Sequence, residues 1–357
     1  MQFRTMARTS VLVFGIMALA APAGFSQNPA DRTPEAPEAP APASPAQQSH
    51  QLSLAPGPDA NANPFPPADP RNFTANTPGK QTIDDFLKAS WGYDPNRMWQ
   101  VQAILKTQVP GVSRVVVLVA EKGAAKQQPA QLAFFSLPDG KHIIADTVLP
   151  FGSKPFEDNR QLLEREATGP SRGATSKDLE IIEFADFECP VCKAAQPTIS
   201  KLLNDYPGAH FVYQNFPLVQ VHGEAYKAAS YGVCVAKLGG NATFFKFGDA
   251  VFDSQAGLTP GSSDQTLKDA VTKAGGDPDK VAACSTAPET KAAVDASVKL
   301  GDEIGVASTP TLLVNGRVLP LGGIEYETLR KIIDFQAEQD GVNLPPHPAE
   351  SPAPSLK

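Results

Sequence analysis

The spacing of apolar residues changes along the chain, and each change marks an element. Thr82 stands as a helix cap ahead of Ile83, Phe86 and Leu87, and Met98, Val101, Ile104 and Leu105 recur at helical spacing, so two amphipathic helices are expected. Three β-rich runs follow, Val112–Ala120, Leu132–Leu137 and Lys141–Leu149, the last two joined by the turn-forming Pro138-Asp139-Gly140. Together they predict a small α+β domain over 79–160. A second domain, over 175–340, opens on the β-rich run Leu179–Phe187 and continues into a helical stretch, Lys193–Tyr206, carrying Ile199, Leu202 and Leu203. Further helical stretches are expected at Glu224–Lys237, Thr243–Asp253, Asp264–Lys273, Pro278–Cys284 and Glu289–Ile304. Leu312-Leu313-Val314, Asn315-Gly316 and Val318-Leu319 read as a β-hairpin, and Glu325–Gln339 as a terminal helix burying Leu329, Ile332, Ile333 and Phe335.

The remaining segments lack such patterning. Arg4 and Arg8, the apolar run Val11–Ala21 and the small residues that follow match a secretory signal over 1–26; an uncleaved N-terminal membrane anchor is the alternative. Residues 27–78 are rich in Pro and Ala with few large apolar side chains, which predicts a disordered spacer, and 341–357 has the character of a disordered tail. Gly152, Pro155, Gly169, Pro170 and Gly173 suggest a hinge over 150–175. The address implied is periplasmic or otherwise extracytoplasmic, where thiols oxidise and stay oxidised.

Composition narrows the chemistry. With 357 residues, a net charge of −7 and 19% charged residues, the chain has no basic footprint for nucleic acid. Its four Cys are too few for a disulfide scaffold in a chain this long, so each pair is judged by its spacing. His142, the only histidine of the first domain, reads as a solvated loop residue beside Asp139. Cys189-Pro190-Val191-Cys192 sits where a strand meets a helix. With Cys189 at the cap and Pro190 at the first helical position, the first sulfur lies over unsatisfied amides and the positive helix end, which favours thiolate. Cys192, one turn further, can resolve a mixed disulfide formed at Cys189. An inert disulfide or a zinc site completed by His210 and His222 are the alternatives, the histidines otherwise being read as solvated at a strand edge and a helix start. Capture of a soft ion such as Cu(I) by the two sulfurs, and client binding without catalysis, are rival functions. Asp186 and Glu188 crowd the motif, and their charge opposes thiolate formation.

The stretches Ile182–Cys192, Phe211–Leu218 and Gly305–Gly316, in this order, resemble the DsbA-like branch of the thioredoxin superfamily. The resemblance implies an α/β thioredoxin fold with a helical insertion, preceded here by the small α+β domain, and no cofactor. It makes Cys189 the nucleophile and Cys192 the resolving thiol of a redox-active Cys189–Cys192 disulfide, faced by a cis Thr309–Pro310 bond. It places Glu183 as a buried acid beneath the thiols, against the alternative of an exposed strand edge. It also suggests a structural Cys234–Cys284 bridge, two free buried thiols being the alternative. Val191 departs from the best-known oxidant, which has a histidine there, so a less acidic thiol and a less oxidising disulfide are expected. The implied function is that of an exported thiol-disulfide oxidoreductase acting as an oxidase on reduced or misoxidised exported proteins and reset by a membrane redox partner. The first domain more loosely resembles the dimerisation module of disulfide isomerases of the DsbC and DsbG type, which raises a homodimer through 79–160 and an isomerase or reductase as the alternative.

Overall fold

The computed structural model describes residues 64–123, 128–145 and 148–345, so the expected signal sequence, the expected spacer up to residue 63 and the tail from 346 lie outside the described residues. In the first unit, helix α1 (Lys80–Trp91) packs on an antiparallel sheet of β1 (Arg97–Lys106), β2 (Ser113–Glu121), β3 (Ala130–Ser136), β4 (His142–Ile144) and β5 (Val148–Pro150), hydrogen-bonded in that order. Ile83 and Leu87 of the helix share a core with Val101, Ile104, Val115, Val117 and Phe134.

The expected helix around Met98–Leu105 is instead strand β1. Its register against β2 shifts between Val101 and Ala103, so Val101 and Ile104 both reach the core although three positions apart. A bulge of this kind imitates helical spacing in the sequence. Thr82 is not the cap of α1 either, since Gly79 takes that place and Thr82 falls inside the first turn.

Residues 64–78, assigned by composition to the spacer, are laid against the sheet. Gln100 and Gln102 donate to the Pro66 carbonyl at 3.0 and 3.1 Å, Thr74 and Ala75 donate to the Ile104 carbonyl, and Ser113 donates to the Thr77 carbonyl at 2.6 Å. A proline-rich backbone has few donors of its own, and here strand side chains satisfy its carbonyls while Phe65 is buried. The presumed hinge is likewise structured. Helix α2 (Glu157–Glu166) buries Leu163 against the second sheet, and β6 (Ser171–Gly173) forms that sheet's edge. Gly169 is required by contact, because a Cβ there would strike the carbonyl oxygen of Tyr213.

The second sheet runs β10-β9-β7-β8-β6. Its central strand β7 (Glu180–Ala185) pairs in parallel with β8 (His210–Asn215) and antiparallel with β9 (Thr311–Val314), which turns into β10 (Arg317–Pro320). Every residue of β7 is buried, as expected of a strand covered on both faces. Helix α3 (Pro190–Asp205), the terminal helix α8 (Tyr326–Gln339) and α4 (Ala225–Asp253) cover one face; α2 and α7 (Pro288–Ile304) cover the other. Helices α4, α5 (Ser263–Lys273), α6 (Pro278–Ser285) and α7 form the insertion, and Gly240, at φ 77°, breaks α4 between the two stretches anticipated there. A disulfide joins Cys234 on α4 to Cys284 on α6.

Arg317 ties the two units together. Only 5% exposed, its guanidinium donates to the carbonyls of Ala89 and Ser90 at the end of α1 and to Gln336 Oε1, and it stacks over Phe156. A cation is well placed at the negative end of a helix. Among the described residues, no helix is long and apolar enough to cross a membrane.

Candidate active site

Strand β7 runs into the loop Asp186-Phe187-Glu188, and the loop delivers Cys189 as the cap of α3 with Pro190 at its first position. Cys192, one turn in, is fully buried and accepts a contact from the Asp186 amide at 3.5 Å. As a thiol, Cys189 points at the carbonyl oxygen of Thr309, 3.6 Å away, immediately before the cis Thr309–Pro310 bond. The fold thus brings Cys189, Cys192, Thr309 and Pro310 to one place from two distant parts of the chain.

The electrostatics split the two sulfurs. The Cys192 thiol, followed by Thr309 and the amides of Cys192 and Val191, lowers the Cys189 thiol to about 5 against the opposing effect of burial. Burial, reinforced by the neighbouring Cys189, pushes Cys192 far up. Glu183, in the centre of the sheet and 1% exposed, has its carboxyl raised to about 7 by burial, with Gln196 and Arg172 pulling the other way. Gln196 Nε2 lies 3.4 Å from the Glu183 carboxylate and donates to the Cys192 carbonyl at 3.1 Å, so one side chain spans the acid and the second cysteine.

Asp186 does not act as the bare opposing charge expected from sequence. Its fully buried carboxylate accepts hydrogen bonds from the Glu188 amide (2.8 Å), the Leu218 amide (2.9 Å) and His222 Nδ1 (2.7 Å). Glu188 likewise accepts from the Glu224 amide at the start of α4, at 2.7 Å. Both acids are spent on shaping the loop. His222 is therefore paired and half-buried rather than solvated, and His210 is engaged with the Ala174 carbonyl. Among the described residues, no group of three or more His, Cys, Asp or Glu side chains is gathered as a metal site. Asp139 and His142 form an exposed pair within their own turn, remote in sequence from this chemistry.

Sequence reasoning missed two further residues. Gln255, in the turn after α4, donates to the carbonyls of Phe187 and Cys189. Tyr213 lies opposite Glu183 in the β7–β8 register and stacks on Phe187, and its buried hydroxyl has no hydrogen-bond partner among the described residues. Neither position carries a local sequence signal, because both contacts arise only when separate strands and helices assemble. Tyr213→Phe is expected to leave the protein as stable or to stabilise it by ~1 kcal/mol, since it removes an unsatisfied buried hydroxyl. Denaturant melts check this.

Residues 165–335 match the Thioredoxin_4 family model, described as thioredoxin. This segment is a thioredoxin-family domain. The chain is also similar to Na(+)/H(+) antiporter NhaA 3 of Salinispora tropica, 30% identical over 146 residues, which are 41% of this chain and 21% of that protein. It therefore spans about a fifth of the length of that relative. Among solved structures it is similar to a thioredoxin-like oxidoreductase from Silicibacter pomeroyi DSS-3 (23% identity, TM-score 0.42, 49% of this chain and 95% of that one). A second is the thiol-disulfide exchange protein alpha-DsbA2 from Wolbachia pipientis (23%, TM-score 0.42, 50% and 95%). The matched span takes in the end of α2, the sheet, the helical insertion and most of α8. The matched span begins at residue 165, upstream of the boundary at 175 expected from the glycine and proline pattern.

Proposed function

We propose that this chain is an exported thiol-disulfide oxidoreductase that passes the Cys189–Cys192 disulfide to extracytoplasmic polypeptides, with the pair then reoxidised by a membrane redox partner. The observation that carries the reading is the pair of sulfurs at the start of α3 beside Thr309–Pro310, Cys189 at the cap with 5% of its surface exposed and Cys192 one turn in and fully buried. A client thiolate attacks Cys189 in the disulfide, forming a mixed disulfide and releasing Cys192, which takes a proton from Glu183. A second client thiolate attacks the client sulfur and expels Cys189 as thiolate. The client is oxidised, the pair is reduced by two electrons, and the acidified Cys189 is a good leaving group in the second step. Val191 in the motif and Val219 and Val221 in the loop after β8, at 49%, 50% and 73% exposure, are apolar side chains open to an unfolded chain. A thiol at about 5 is acidic for cysteine, which suits a leaving group in disulfide exchange.

The experiment that tests the reading compares oxidation of a reduced peptide with reshuffling of a scrambled protein, alongside light scattering. An oxidase oxidises the peptide as a monomer. An isomerase joined through the first unit instead reshuffles, and reshuffling by a dimer would overturn the oxidase assignment.

Glu183→Gln gives a second expected result. A carboxyl raised from 4.5 to about 7 by folding binds more protons when folded, so the stability it contributes is present at low pH and falls as pH rises through about 7. The variant is expected to lose this decline, which is on the order of 3 kcal/mol, and to slow release of Cys192 on the order of 10²-fold at neutral pH. Stability curves against pH and single-turnover kinetics read the two effects separately.

A further inference from the structure

The helical insertion reaches the catalytic loop through one side chain. Gln255 lies in the short turn Gln255–Gly257 between α4 and α5, and its Nε2 donates to the carbonyl of Phe187 at 2.8 Å and to that of Cys189 at 2.9 Å. These carbonyls belong to the peptide groups on either side of the Glu188–Cys189 step. The Cys189 carbonyl also accepts the Lys193 amide at 3.2 Å, the opening bond of α3. The residue after Cys189 is proline, which has no N–H with which to anchor that peptide from its other side. Gln255 is itself held from behind: Ser254 donates through its amide and hydroxyl to the Ala250 carbonyl at 3.2 and 2.6 Å, and Gly257 donates to the Ser254 carbonyl at 2.8 Å.

We propose that Gln255 is a positioning residue that keeps the Cys189 loop in place once the Cys189–Cys192 bond has been broken, and that it thereby couples the helical insertion to the redox equilibrium of the site. In the oxidised form the S–S bond closes the loop onto the first turn of α3. Reduction removes that tie, and the place of the Cys189 sulfur at the start of α3 then depends on the backbone of 187–190. Gln255 grips this backbone from outside the loop, whereas Asp186 grips it from the strand side. The two hydrogen bonds therefore favour the reduced form over the oxidised one, and their loss makes the pair less oxidising.

The inference rests on Cys189 and Cys192 being the exchanging pair. It is tested in the full chain with Gln255→Leu, which removes the donor, and Gln255→Glu, which places a carboxylate oxygen where the donor was. In glutathione buffers the equilibrium constant for reduction is expected to fall roughly three- to tenfold in Gln255→Leu. The Cys189 titration, followed by thiolate absorbance, moves up by the matching half to one unit. Gln255→Glu moves both further in the same direction. Melting of the reduced protein falls more than melting of the oxidised protein, which closes the thermodynamic cycle. Equal destabilisation of both forms, with the equilibrium and titration unmoved, would overturn the inference and leave Gln255 a scaffold residue. A wild-type pair that does not exchange with glutathione at all would overturn the assignment of the pair, and the inference with it.

Discussion

Cys189→Ser is expected to reduce disulfide exchange to the uncatalysed background, with the fold intact and the Cys234–Cys284 bridge retained. A serine hydroxyl is not ionised at neutral pH, so the amides at the start of α3 would have no anion to stabilise and no leaving group would form. Cys192→Ser is the informative companion. It keeps the outer nucleophile but lacks the sulfur that resolves, so a mixed disulfide with the client accumulates on Cys189. Mass spectrometry of the trapped adduct, beside turnover of a reduced peptide, reads both. Exchange that survives in Cys189→Ser would remove the chemistry proposed here and favour a client-binding role without catalysis.

Replacing Cys234 and Cys284 together by alanine is expected to cost ~3–4 kcal/mol, the chain-entropy value for a loop of this length. For a protein of this size that lowers the melting temperature by roughly 10 °C. The bridge pins α4 to α6 within the insertion and joins neither sulfur of the exchanging pair, so the loss falls on stability and the exchange rate well below the melt stays close to that of wild type. Denaturant titration of the double variant measures the cost. Alkylation of both thiols in the native, unreduced wild type would count against the bond itself.

The sequence was readable where chemistry is local. A strand feeding a cysteine, a proline at the first helical position and a second cysteine one turn on define the capped geometry by themselves, and Cys189 and Cys192 occupy it. The boundaries of the insertion helices and of α8 were visible because their apolar residues repeat with the helical period. Three features escaped for different physical reasons. Strand β1 carries a bulge that brings Val101 and Ile104 to one face, so its periodicity imitates a helix. Residues 64–78 pack through carbonyls that accept hydrogen bonds from side chains of β1 and β2, which composition does not register. Asp186 looked like a charge opposing the thiolate, but its partners Leu218 and His222 come from the loop after β8, and only the assembled sheet places them within reach. The acid Glu183 was ambiguous for a related reason: nothing within Ile182-Glu183-Phe184 says whether the strand is central or at an edge.

The guanidinium of Arg317 has a consequence for dissection of the molecule. Cutting the chain after β5 would strip the Ala89 and Ser90 carbonyls from an interior cation, leaving it only Gln336 and the ring of Phe156. The shortened protein would begin life with an unmet electrostatic debt and a sticky surface. The front unit is in this sense a fold-completing partner, and its loss would show first as poor solubility of the remainder.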